Sequence, residues 1–175
     1  MMKSVLLLLL LICILLSLCI RIGKTTSVPN QMTAHHARVF LLHCMDFRLI
    51  DDVDRWMAQL GYTNDYDDFI LAGASLGYNQ TEYPVWKQVY ETHLELARRL
   101  HHIEEVAIID HMNCGAYRLF YHRDDLSEKE ERELHLQNLD ETARKVQEKY
   151  PDLRVSTFLM QLDGTAERIQ HYPSA

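Results

Sequence analysis

Four apolar runs of strand length alternate with three helix-length segments, and this alternation constrains the fold more than any other feature of the chain. The runs are residues 38–44 (RVFLLHC), 68–74 (DFILAGA), 105–110 (EVAIID) and 154–160 (RVSTFLM). Residues 49–60, 84–102 and 127–150 lie between them and read as helices. Their punctuation agrees. Gly61 stops the first helix, and Pro84 opens the second. Ser127 and Glu130 form a capping box for the third, and Pro151 follows its end. The second helix is expected to bury Val85, Val89, Leu94, Leu96 and Leu100. A turn at Asp163-Gly164 follows the last strand. The order predicts an α/β fold, with a mainly parallel central sheet of about four to five strands flanked by helices through right-handed crossovers. Such sheets bind ligands at the carboxyl ends of their strands. Cys44, Gly73 and His111 all fall there.

The chain is 175 residues long, enough for one domain with a substantial core. It carries a net charge of −7 and no block of Lys or Arg, which argues against a nucleic-acid partner. Residues 5–20 (VLLLLLLICILLSLCI) stand apart, almost wholly apolar between Lys3 and Arg21. Their length lies between that of a signal-peptide core and the roughly 20 residues of a spanning helix. Residues 1–27 are therefore read as a signal peptide or signal anchor, 28–36 as a linker and 37–175 as the folded domain. Secretion or membrane anchoring through residues 5–20 follows from that reading. Cys13 and Cys19 lie in the apolar segment, leaving Cys44 and Cys114 in the domain.

Two cysteines in an exported domain most simply form one disulfide. Their surroundings point elsewhere. His111 and Cys114, three residues apart, turn toward one metal if the chain bends between them, and Gly115 permits close backbone approach. Cys44 ends the first strand and becomes their neighbour through the sheet. Two thiolates and an imidazole are a soft, zinc-preferring set, and three protein ligands leave one position open for chemistry. If the first strand continues past Cys44, period-two geometry puts Cys44, Asp46 and Arg48 on one side. Asp46 then sits beside the metal, and Arg48 holds it ionised by a two-pronged bond. A metal lowers the pKa of its bound water from about 15.7 toward about 7.

Cys44-x-Asp46-x-Arg48 at the end of a first strand, an Ala-Gly segment at the end of a second, and His111-x-x-Cys114-Gly115 after a third resemble the β-class carbonic anhydrases, as a divergent branch. The resemblance covers residues 38–120. It implies Zn2+ held by Cys44, His111 and Cys114, with Asp46 and Arg48 as the catalytic dyad. It also implies reversible hydration of carbon dioxide to bicarbonate and a proton, and a sheet extended across a homodimer or higher homo-oligomer. Phe47 is bulkier than the family's usual small residue. Leu71-Ala72-Gly73-Ala74-Ser75 replaces an Asn-Ala-Gly-Gly-like segment, and Met112-Asn113 stands where many members carry Thr-Asp. These departures motivate a second reading, hydrolysis of carbonyl sulfide or carbon disulfide at the same site. A third is a non-catalytic exported binding domain with a Cys44–Cys114 disulfide. The remaining histidines, His135 among them, read as surface or core-edge residues. The charged run 128–133 reads as a solvated helix face. Tyr78, Tyr83 and Trp86 could line a pocket, meet another subunit or pack in the core.

Overall fold

The computed structural model describes residues 35–175. Residues 5–20, the boundary at residue 27 and most of the linker lie outside the described residues. Among those described, no helix is long and apolar enough to cross a membrane.

The domain is built on five strands: β1 (Val39–His43), β2 (Tyr66–Ile70), β3 (Glu105–His111), β4 (Arg154–Met160) and β5 (Ala166–Tyr172). Their order in the sheet is β2-β1-β3-β4-β5. All neighbours are parallel except β4 and β5. Five helices connect the strands. They are α1 (Ile50–Gln59), α2 (Ser75–Asn79), α3 (Pro84–His101), α4 (Gly115–Phe120) and α5 (Glu128–Lys149). A 3-10 turn, Phe47–Leu49, precedes α1.

Strand periodicity divides the core into two layers. Phe40 and Leu42 of β1 and Val106 and Ile108 of β3 face Tyr90 and Leu94 of α3 and Leu139 and Ala143 of α5. Their sequence neighbours Val39, Leu41, Ala107 and Ile109 face the other way, onto Val53 and Met57 of α1. A sheet covered on both faces requires unbroken apolar strands. β1 and β3 are buried at every position. Each fully buried aliphatic side chain stabilises the fold by about 1.5–3 kcal/mol.

Several expectations are corrected. The second strand is Tyr66–Ile70, not 68–74, and it is a half-exposed edge strand, not a buried one. It pairs only with β1, so its outer edge is unpaired. Residues 72–74 leave the sheet in a turn, with Gly73 at φ +74° and Ala74 at φ +42°. The buried face of α3 is Tyr90, Leu94 and Ala97, while Val85, Val89, Leu96 and Leu100 are exposed. Reading the stripe from aliphatic residues alone missed Tyr90, whose ring meets Phe40, Phe69 and Tyr78 edge-on. β5 was not foreseen. Its sequence AERIQHY is mostly polar because it closes the other edge. The Asp163-Gly164 turn leads into it, closed by the Gln161 N–H donating to the Thr165 carbonyl at 2.7 Å. The capping box of Ser127 and Glu130 forms as expected.

Candidate metal centre

The three candidate ligands are delivered by three adjacent chain segments. Cys44 is the first residue beyond β1, His111 is the last of β3, and Cys114 caps α4. β1 and β3 are paired in parallel, so their carboxyl ends coincide and the sequence separation of 67 positions vanishes as a distance. Between His111 and Cys114 the chain reverses at Asn113, with φ +60°, a left-handed conformation that asparagine tolerates. One donor atom from each of the three ligands lies within 4.8 Å of the other two.

The donors fit a tetrahedral metal. Cys44 Sγ and Cys114 Sγ are free thiols 3.9 Å apart. Two thiolates each about 2.3 Å from one tetrahedral ion sit about 3.8 Å apart, against about 2.0 Å in a disulfide. The bridge of the third reading is therefore not formed. His111 Nδ1 donates to the Met112 carbonyl at 2.9 Å. That bond leaves the lone pair on Nε2, which is buried and has no hydrogen-bond partner. An orphaned imidazole nitrogen beside two thiols fits the donor set of a metal site. Gly73 completes the cradle, its N–H donating to Cys44 Sγ at 3.3 Å. A Cβ there would lie 3.0 Å from Ala116 Cβ, and the φ of +74° also selects glycine.

Electrostatics prepare the donors. The Cys44 thiol is lowered to about 4. The main cause is the hydrogen bond it accepts from Cys114; burial opposes this, and His111 and the Gly73 N–H add to it. Cys114, the donor, is pushed far up by that same bond and by burial. A metal that binds both sulfurs would displace their thiol protons. Burial pulls His111 down, but the neighbouring Cys44 sulfur outweighs it and leaves its pKa raised.

Asp46 and Arg48 reach the site by a different route from the one foreseen. β1 ends at His43, so no strand period aligns them. Asp46 instead caps the 3-10 turn, its Oδ1 accepting the Arg48 N–H at 3.0 Å. The guanidinium then grips the same carboxylate through Nε at 2.9 Å and Nη2 at 2.7 Å. Its other contacts are the Asn113 carbonyl, 3.0 Å from Nη2, and Asn113 Oδ1, 3.1 Å from Nη1. Arg48 therefore pins the loop carrying Cys44 to the loop carrying Cys114. Asp46 Oδ2 lies 3.8 Å from His111 Nε2. Arg48 holds the Asp46 carboxyl down at about 2, against some opposition from burial.

Beside these groups opens a cavity of about 450 Å3. Ala72, Trp86, Leu119 and Phe120 contribute to its apolar wall, and Cys44, Asp46 and Cys114 to its polar end. Tyr83 and Trp86 stack at 4.9 Å and line the cavity, whereas Tyr78 is a core residue. His43 turns away and pairs with Asp68 at 2.9 Å. Met112 packs in the interior; Met45 is exposed.

Sequence reasoning missed two residues. Glu131 is buried, not on a solvated face, and His135 is fully buried. Their spacing of four on one helix was the available signal. It was masked by the charged run around Glu131.

A half-buried carboxylate–guanidinium pair beside a Cys-His-Cys cluster that could hold a metal ion, at the strand ends of this sheet, is a carbonic-anhydrase-like arrangement. Residues 34–170 match the family described as "Putative carbonic anhydrase", and the chain belongs to that family. An uncharacterized protein of Rickettsia bellii is 41% identical over 144 residues, which span 82% of this chain and 88% of that one. Another, from Rickettsia conorii, is 39% identical over 149 residues, 85% and 80% of the two chains. The β-carbonic anhydrase isoform I of Trichomonas vaginalis has a similar structure, with TM-score 0.50 and 17% identity over 91% of this chain and 96% of that one. A β-carbonic anhydrase of Aspergillus fumigatus matches at TM-score 0.52 and 14% identity, over 78% and 77%. One of two tetrameric β-carbonic anhydrases from Sordaria macrospora matches at 0.50 and 10%, over 79% and 84%. At these identities the solved structures establish the shared fold.

Proposed function

We propose that the chain is a zinc-dependent carbonic anhydrase that reversibly hydrates carbon dioxide to bicarbonate and a proton. The observation that carries this reading is the set of three soft donors within 4.8 Å of one another, beside Asp46 and at the polar end of an apolar cavity. Held by Cys44, His111 and Cys114, zinc supplies a Lewis acid that makes water ionisable near neutral pH.

The chain's own residues do the rest. Asp46 accepts a hydrogen bond from the reacting water and turns the water's lone pair toward the cavity. With its carboxyl held at about 2, Asp46 is too weak a base to keep the proton, which leaves to solvent or buffer. Arg48 fixes the plane of that carboxylate through two bonds. Ala72, Trp86 and Phe120 offer carbon dioxide an apolar wall and exclude competing water.

The test is stopped-flow hydration of carbon dioxide by full-length protein of known zinc content. Turnover above the buffer rate, abolished in Cys114→Ser, supports the reading. One zinc per chain without hydration refutes it. The size and aromatic wall of the cavity favour one second reading, hydrolysis of carbonyl sulfide or carbon disulfide at the same centre. Comparing these substrates with carbon dioxide on one preparation separates the two.

Export or membrane attachment through residues 5–20 belongs to this proposal, supported by their apolar composition. So does self-association. The unpaired outer edge of β2 and the exposed Val85, Val89, Leu96 and Leu100 of α3 support it.

A further inference from the structure

Behind the candidate metal centre, away from the cavity, lies a buried cluster of polar side chains for which the proposed reaction has no use. Asp110 is its hub. Its Oδ1 accepts the Ser75 N–H at 3.0 Å. Its Oδ2 accepts from Ser75 Oγ at 2.6 Å, from the Tyr117 hydroxyl at 2.7 Å and from His135 Nδ1 at 2.9 Å. The other face of the His135 ring looks to Glu131, with Nε2 3.8 Å from Oε1 and no hydrogen-bond partner. Glu131 Oε1 in turn accepts the Cys114 N–H at 2.8 Å. Ser75, Asp110, Tyr117, Glu131 and His135 are all buried.

Burying two carboxylates and an imidazole is costly unless they are paired. A core of this size could fill the space with aliphatic side chains, as the neighbouring turn of α5 does with Leu139 and Ala143. What the cluster touches suggests why it is polar. Asp110 is bonded in sequence to His111. Glu131 holds the backbone of Cys114. Ser75 ends the Gly73-Ala74-Ser75 turn, whose Gly73 N–H meets Cys44 Sγ at 3.3 Å. Each candidate ligand thus has one mechanical connection to the same cluster.

We infer that the Asp110–His135–Glu131 chain, with Ser75, is a strut that positions Cys44, His111 and Cys114 for metal before metal arrives. His135 and Glu131 are positioning residues acting from α5, a helix that supplies no ligand. The inference rests on the metal-centre reading above. Partners of this kind outside the ligand shell typically govern metal affinity by about 10–100-fold.

The test is competitive chelator titration of Zn2+ and Co2+ into the full-length chain in detergent, with the Co2+ absorption spectrum as a readout of ligand geometry. Glu131→Ala removes the acceptor for Cys114. His135→Asn keeps a donor for Asp110 but removes the ring nitrogen that faces Glu131. Both should weaken affinity by about 10–100-fold and alter the Co2+ spectrum. Glu131→Gln keeps an oxygen for the Cys114 N–H and should recover most of the Glu131→Ala loss. Leu139→Ala, on the same helix but facing the aliphatic core, should lower Tm while leaving affinity and spectrum native. Affinities of Glu131→Ala and His135→Asn within threefold of native overturn the inference. So does an equal affinity loss in Leu139→Ala. If Glu131→Ala does not fold, His135→Asn against Leu139→Ala carries the same decision. A native chain that binds neither ion refutes the metal-centre reading and this inference with it. Tight native binding that the variants do not change refutes this inference alone.

Discussion

Replacing Arg48 with Met keeps the aliphatic stem and deletes four hydrogen bonds, two to the Asp46 carboxylate and two to Asn113. The Asp46 carboxyl sits at about 2 against an ordinary 3.8. At about 1.4 kcal/mol per pH unit, that difference corresponds to at most about 2–3 kcal/mol. The Arg48 side chain is 36% exposed, so solvent screening reduces its share. We take about 1 kcal/mol after that screening. The Asn113 contacts add about 1 kcal/mol. A loss of about 2 kcal/mol in a domain of this size lowers Tm by about 4–8 °C. The pH dependence has a definite sign. A depressed carboxyl pKa stabilises the fold above the unfolded value of 3.8, and that stabilisation is lost as pH falls through about 2. The gap between native and Arg48→Met should therefore be constant near neutrality. It should narrow by about half between pH 4 and pH 2, since the Asn113 share does not titrate. Thermal melts across that range measure the gap, and a carboxyl NMR titration should show Asp46 moving up toward 3.8 in the variant. An unchanged Tm at pH 7, or an Asp46 that titrates where it did before, would refute the reasoning.

Asp46→Ala should lower hydration turnover by about a hundredfold while zinc content stays native, which metal analysis and stopped-flow on one sample would check. Cys114→Ser should lose the metal, and full occupancy in that variant would show that the cysteine is not a ligand. Thiol counting on unfolded, chelator-treated protein should find Cys44 and Cys114 both reactive, whereas a bridged pair would give neither. Replacing Val89 and Leu96 with Lys should convert an assembled form to monomers in light scattering, and an unchanged mass would move the contact elsewhere.

The fold class was legible because a sheet buried on both faces needs uninterrupted apolar strands. Residues 39–42 and 106–109 obey that rule at every position. Edge elements were not legible. β2 and β5 are partly exposed edge strands, so their residues mix polar with apolar and their limits blur. The same mixing hid the exposed face of α3. Cys44, His111 and Cys114 could be singled out because ligand chemistry restricts residue type and parallel strands bring their ends together. Asp46 and Arg48 were found by spacing, but the geometry that joins them is a capped 3-10 turn, not a strand.

By itself, the sequence determined the alternation of strands and helices, the caps of α5, and which side chains had the chemistry to hold a metal. These depend on local periodicity and residue type, which neighbouring residues suffice to express. Only the tertiary structure decided where Glu131 and His135 lie. A charged helix turn looks the same whether it faces water or the buried side of a Cys-His-Cys cluster. Which way it faces is set by how α5 docks on the sheet, through contacts distant in sequence.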